Sequence, residues 1–216
     1  SIAPTSIDIT KGIIRALKRM KEVKRSMNVF KKSKTSFLKA NRRRPDDPNV
    51  PGKLVSTHYF PDLHAFMDTS GSISEDNYRD AIITLIRLAK KMNVNLYFTS
   101  FSHIMSQPVL LKTQNRSVKA IWRQFQRIPK VTGGTDYAQI WEFINAAPAR
   151  KERCNIIFTD FQWHAPATDK VHPKNLFYAP VSGMDWNYLV SDAKSFVRSM
   201  NHIDGTVASK LIGVTV

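Results

Sequence analysis

Asp68-Thr69-Ser70-Gly71-Ser72 sets one carboxylate and two hydroxyls at alternate positions of the chain. In an extended or tightly turned loop these oxygens face one point, and Gly71 lets the backbone bend there without a Cβ clash. Two other stretches carry the same chemistry, Thr132-Gly133-Gly134-Thr135 and Thr159-Asp160. An all-oxygen set of this kind suits Mg²⁺ or Mn²⁺ and suits Zn²⁺ or copper poorly. The local alternative is helix capping, with Ser72 or Ser74 accepting from the first amides of the next helix. Asp136 reads as a charge at a helix N-terminus rather than as a ligand.

Little else in the chain offers chemistry. Cys154 is the single cysteine, so neither an internal disulfide nor a cysteine metal cage is available, and it reads as a buried apolar filler. The six histidines show no paired ligand spacing, and His64 fits a core strand. His164 and Trp163 follow Asp160 and could rim its loop, though packing is the simpler role for them. Trp122, Phe125, Trp141 and Phe143 fit helix faces that belong to a core. No Walker-A loop, dinucleotide-binding glycine pattern or nucleophile–base motif occurs, so no enzyme is expected.

The oxygen-rich stretches need elements to position them. Leu63 to Met67 and Asn155 to Thr159 are apolar runs bounded by polar residues, the pattern of buried strands. Leu54–Phe60, Val94–Phe101, Leu176–Val181 and Leu211–Val216 also read as strands, and Val109–Leu111 as an edge strand. Helical periods cover Asn77–Met92, Val118–Ile128, Tyr137–Ala146 and Tyr188–Met200. Alternating buried strands and amphipathic helices predict an α/β fold: a doubly wound, mostly parallel sheet with helices on both faces. Ligands of such sheets bind beyond the carboxyl ends of the strands, where the strand order reverses. Asp68 and Asp160 both fall at such ends.

Asp68-Thr69-Ser70-Gly71-Ser72, with Thr135 after two glycines and Asp160 at a strand end, resembles the von Willebrand factor A domains, over roughly residues 54–216. The Gly-Gly-Thr-Asp and Thr-Asp pieces are most similar to those of bacterial and phage proteins, including ones encoded beside AAA+ ATPases. The resemblance implies a metal-ion-dependent adhesion site holding Mg²⁺ or Mn²⁺ through Asp68, Ser70, Ser72, Thr135 and Asp160. It also implies that an Asp or Glu carboxylate of a protein partner, such as an AAA+ ATPase or a polymerase, completes the metal shell. Gly often follows the third-loop aspartate in that family, and here Phe161 does.

Charge supplies a second expectation. The 216 residues carry 33 Lys and Arg against 17 Asp and Glu, a net charge of +16. Such an excess favours polyanions, nucleic acid first. It is uneven: residues 1–53 hold 15 Lys and Arg against 4 Asp and Glu. Ile13, Leu17, Met20, Met27 and Phe30 space as one apolar stripe, which predicts an amphipathic helix over 9–30. A second short helix is expected over Lys34–Ala40, and a linker at about 41–53, where Pro45 and Pro48 cannot continue a helix. The division expected is therefore a basic helical arm at 1–53 and an α/β domain at 54–216. Lys18, Lys21, Lys24, Arg25, Lys31, Lys32, Arg42, Arg43 and Arg44 are its candidate phosphate contacts; the alternative for the arm is a solvated cationic helix packed on the body by its apolar stripe. The alternative to a metal-bridged interaction module is thus a DNA-binding protein, of single strands in one version, that recruits a replication or transcription enzyme, with the α/β body as scaffold. No apolar run reaches the ~18 residues of a membrane span. Ser1 to Ser6 is polar, unlike a secretory leader, and a cytoplasmic setting in a bacterium or virus-infected host is expected.

Overall fold

The computed structural model describes residues 6–20, 28–71, 73, 75–162, 169–181 and 185–216. Its main sheet has five strands: β3 (Leu63–Asp68), β4 (Leu96–Phe101), β5 (Val109–Leu111), β6 (Cys154–Thr159) and β7 (Leu176–Pro180). Their order is β5-β4-β3-β6-β7, parallel except for β5, which runs antiparallel to β4. The chain leaves β3 for β4 on one side and returns to β6 on the other. The carboxyl ends of β3 and β6 therefore flank the point where the order reverses.

Alternation along the strands divides the core in two. Leu63, Ala65 and Met67 of β3 and Ile156 and Phe158 of β6 pack with α1 (Ser6–Arg19), α2 (Glu75–Met92) and α3 (Val118–Gln126). Phe66, Ile157 and Tyr178 pack instead with α4 (Ala138–Asn145) and α6 (Trp186–Met200). Strands covered on both sides read as continuous apolar runs, and β3, β6 and β7 are buried at every position.

The helices follow their local signals. Ala81, Ile82, Leu85, Ile86 and Ala89 line one stripe of α2, and Lys90 and Lys91 complement the negative end of its dipole. Asn93 ends that helix in the left-handed region at φ 54°. Ser117 caps α3 by accepting from Ala120 N at 3.1 Å, and Asp185 caps α6 by accepting from Asn187 N at 2.9 Å. A four-residue helix α5 (Pro148–Lys151) precedes β6. No helix among the described residues is long and apolar enough to cross a membrane.

The basic N-terminal segment packs on the body by its apolar stripe, as one of its two readings has it, and differs from expectation beyond that helix. Its helix α1 ends at Arg19, and Ile9, Ile13, Ala16, Leu17 and Met20 are buried in the core shared with α2. Residues 21–27, with Lys21, Lys24 and Arg25, lie outside the described residues. Asn28–Ala40, expected as the end of one helix and the whole of a second, is a strand, β1. It pairs antiparallel with β2 (Pro51–Phe60), from Asn28↔Phe60 to Ser36↔Gly52, and the ladder satisfies backbone groups that a helix would have bonded internally. The expected linker, 41–53, is the reversal joining the two strands at 41–50 and the first three residues of β2. β2 pairs with β1 in a separate two-stranded sheet. At the far end, Leu211–Val216 is not a strand: Leu211 makes one bridge to Tyr178, after a short 3₁₀ helix at Val207–Lys210.

Gly12 fixes how closely α1 approaches that last segment. A Cβ built on it would lie 2.6 Å from Ile212 Cγ2. Gly12→Ala should therefore destabilise the protein by about 1–3 kcal/mol despite alanine's better helix propensity. Thermal unfolding checks this, and an unchanged or raised midpoint would refute the tight contact.

Candidate functional site

Asp68 closes β3 with its side chain fully buried. Its Oδ1 accepts from Ser70 N at 2.9 Å, which bends the chain at the strand end. Tyr78, one turn into α2, donates its hydroxyl to the Asp68 carbonyl. Beside it in the sheet register come Thr159 and then Asp160. Thr159 Oγ1 lies 3.4 Å from Asp68 Oδ2.

The glycine loop reaches the same place. Ser70 and Gly133 form a parallel bridge, and Thr69 Oγ1 donates to Phe101 O at 3.0 Å and to Val131 O. Gly133 has φ 144°, and a Cβ there would sit 2.1 Å from His103 Nδ1, so the loop passes where a side chain does not fit. Thr135 Oγ1 consequently stands 3.4 Å from both Asp68 carboxylate oxygens. Asp136 turns away to accept from Ala138 N at 2.9 Å near the start of α4.

The third loop departs from β6 through an unusual conformation. Phe161 has φ 66°, a left-handed backbone that costs a bulky residue about 1–3 kcal/mol. Its ring is buried, 5.6 Å from that of Phe196, and this burial offsets the strain. Glycine adopts this conformation without cost, so Phe161 keeps a glycine-like backbone while anchoring the loop. Asp160, also buried, accepts from Gln162 N at 3.0 Å.

Electrostatics mark this crevice. Burial raises the Asp68 carboxyl above the ordinary carboxylate range, and bonds from Ser70 oppose the shift. The charge acting on it is another carboxylate, Asp160, which raises it further. Burial followed by the Asp68 charge raises Tyr137, and Tyr78 likewise, so both phenols stay protonated. Tyr137 shares a hydrogen bond with Thr159 Oγ1 and orients that hydroxyl. A buried carboxylate whose charge is disfavoured by burial and by a second carboxylate is a place where a cation would relieve it.

The donors fit a hard divalent ion. Oxygens sharing one octahedral ion at about 2.1 Å lie about 3 Å apart, close to the 3.4 Å separating Thr135 Oγ1 from the Asp68 oxygens. Among the described residues no three His, Cys, Asp or Glu side chains group as metal ligands. This set has two carboxylates, and its other donors are hydroxyls. Of the five expected ligands, Asp68, Ser70 and Thr135 are brought together, Asp160 acts on Asp68 from the neighbouring strand end, and Ser72 lies outside the described residues. Ser74, Trp163 and His164 also lie outside them. Tyr78 and Tyr137 were not anticipated, and Thr159 was expected in the oxygen-rich set but not as a partner of Asp68. Thr159 precedes Asp160 on a buried strand, where a lone hydroxyl needs a partner, and that was the available signal.

The other singled-out side chains are structural. His64 Nε2 pairs with Thr99 Oγ1 at 2.8 Å and its ring stacks on Phe66 at 4.1 Å. Burial, then the Arg153 and Arg150 charges, lower its pKa and keep it neutral. Burial alone pushes the Cys154 thiol up, away from reactive thiolate. Trp122 stacks on buried Phe125 at 5.0 Å, and Arg150 lies 3.7 Å over Phe143. Compared with known proteins, this chain matches no family model and no curated sequence.

Proposed function

We propose that this chain is a non-enzymatic, divalent-cation-dependent interaction module with a doubly wound body of the von Willebrand factor A type. Asp68, Ser70 and Thr135 would hold Mg²⁺ or Mn²⁺, with Ser72 from the same loop and Asp160 from the third. When bound, the ion supplies an open coordination position that exchanges water for a carboxylate oxygen of the partner. The chain's own residues do the rest. Ser70 and Thr159 orient the Asp68 carboxylate, Tyr137 orients Thr159, and the glycine loop delivers Thr135. A protein presenting Asp or Glu, of the AAA+ ATPase or polymerase kind, in the cytoplasm of a bacterium or an infected host, belongs to this proposal.

The observation that carries it is the buried Asp68 carboxylate, ringed by hydroxyls and facing a second carboxylate at the reversal of strand order. Capping alone accounts for Ser70 N, and leaves unexplained why Thr135 and Asp160 converge from distant stretches on the same group. The test is capture of host proteins by the immobilised full chain in Mg²⁺, in EDTA, and with Asp68→Ala. A partner should be retained in Mg²⁺ and lost in both other conditions. Retention that is indifferent to EDTA and to the substitution would overturn the reading.

A further inference from the structure

We infer that the β1–β2 ribbon is a duplex-DNA-binding arm that lies in the major groove, with Arg42, Arg43 and Arg44 on flanking phosphates and Phe37 against base edges. This goes beyond the crevice and does not depend on it.

Charge is the first argument. Residues 28–60 hold 8 Lys and Arg against 2 Asp and Glu, a steep excess for one ribbon. The positive residues at the reversal are exposed and are set in a defined turn. Asn41 Oδ1 accepts from Arg43 N at 2.9 Å, Asn41 O accepts from Arg44 N at 3.2 Å, and Asn41 Nδ2 ties the turn to Pro51 O at 3.1 Å. Three adjacent guanidinium groups carried on an ordered turn suit phosphate oxygens, which they can bond in bidentate fashion.

Shape is the second. Among the described residues β1 and β2 form a two-stranded sheet with no third strand. A major groove about 12 Å wide admits a ribbon of two strands. Continuous pairing from Asn28↔Phe60 to Ser36↔Gly52 spans roughly 27 Å at about 3.4 Å per residue, the length of about eight base pairs of B-form DNA. The A-form major groove is too narrow for side chains to read, so the fit is to DNA rather than to double-stranded RNA.

Phe37 is the third. It is 75% exposed on the ribbon, close before the arginines. Exposing an aromatic ring in water has no benefit to an isolated ribbon, and a two-stranded sheet is marginal by itself. In the major groove the ring meets the thymine C5-methyl groups, the apolar feature of that surface.

The experiment is fluorescence anisotropy of a 30-bp thymine-containing duplex with the full chain across a salt series. Binding should weaken linearly in log–log form. Replacing Arg42, Arg43 and Arg44 together by Ala should lower affinity at least about tenfold near 0.1 M salt and flatten the slope by about 2–3. Phe37→Ala should cost a few-fold with the slope unchanged, and that loss should vanish on a duplex carrying uracil in place of thymine. EDTA and Asp68→Ala should leave duplex binding intact, which separates this proposal from the crevice. Failure to retain duplex at low salt, or unaltered binding by the triple variant, would overturn it. So would equal or tighter binding of double-stranded RNA or of single-stranded DNA of the same sequence.

Discussion

Asp68→Ala should lower Mg²⁺ and Mn²⁺ affinity by at least about 100-fold in calorimetric titration, with near-UV circular dichroism unchanged. The expectation follows from what the substitution leaves behind. Ser70 and Thr135 are neutral hydroxyl donors, and Asp160 alone cannot balance a divalent charge from the neighbouring strand end. Changing a group that orients a ligand costs about 10–100-fold in metal affinity, so losing the ligand sets a larger effect. Thr159→Val removes the bond to Asp68 Oδ2 together with those to the Tyr137 hydroxyl and Phe161 N, so a loss of at least about tenfold in metal affinity is expected. Binding should also be proton-linked. Burial raises the Asp68 carboxyl, so protons compete with the ion at higher pH than they would at an exposed aspartate. Affinity should therefore fall as pH drops through that raised value. An Asp68→Ala protein that binds Mn²⁺ as the parent does would remove the ion from this crevice.

The second large effect concerns stability in acid. His172 Nε2 pairs with Tyr178 at 2.9 Å, and its Nδ1 lies 2.8 Å from Asp204 Oδ2 and 3.0 Å from Lys210 Nζ. Burial, with the Lys210 ammonium next, lowers the imidazole from 6.5 to about 4, against the opposing pull of Asp204. The unfolded chain thus takes up a proton near pH 6.5 that the folded chain refuses until about pH 4. More protons bind the unfolded state across that window, so stability falls as pH falls through it, by on the order of 3 kcal/mol. Below about pH 4 both states are protonated at this group and its contribution is spent. Urea unfolding at a series of pH values should show this slope in the parent and lose most of it in His172→Gln, which keeps a hydrogen-bonding side chain without the titration. An identical slope in that variant would place the acid sensitivity elsewhere.

Much of the α/β body was legible because its strands are buried on both faces and its helices carry regular apolar stripes. Val109–Leu111 matches its expected bounds, and α2, α3, α4 and α6 lie within about two residues of theirs. The basic segment was misread for a physical reason. Met27 and Phe30 continue the helical spacing begun by Ile13, and Lys and Ser give no alternation to betray a strand. What makes 28–40 a strand is its pairing with 51–60, a long-range fact that a local window does not contain. The same holds for Leu211–Val216, whose apolar alternation suggests a strand although it makes a single isolated bridge at Leu211, with Ile212 N donating to Tyr178 O at 2.7 Å.

The site was legible in part. Oxygen spacing singled out Asp68, Ser70, Thr135 and Asp160, since strand-end residues of a parallel sheet share one edge. The supporting hydroxyls were not. Tyr78 lies among polar residues in the first turn of α2 and Tyr137 just before α4, and their roles depend on where the rings end up beneath the loop. Phe161 looked like a departure from a glycine position. Its positive φ shows the backbone such a glycine would take, held by a buried ring.

The most direct measurement is an anomalous-scattering map from crystals of the full chain soaked in Mn²⁺. One strong peak is expected at the carboxyl ends of β3 and β6, about 2.0–2.2 Å from an Asp68 oxygen and from the Ser70 and Thr135 hydroxyls. A map with no peak there, or with a lysine ammonium lodged between Asp68 and Asp160, would contradict it.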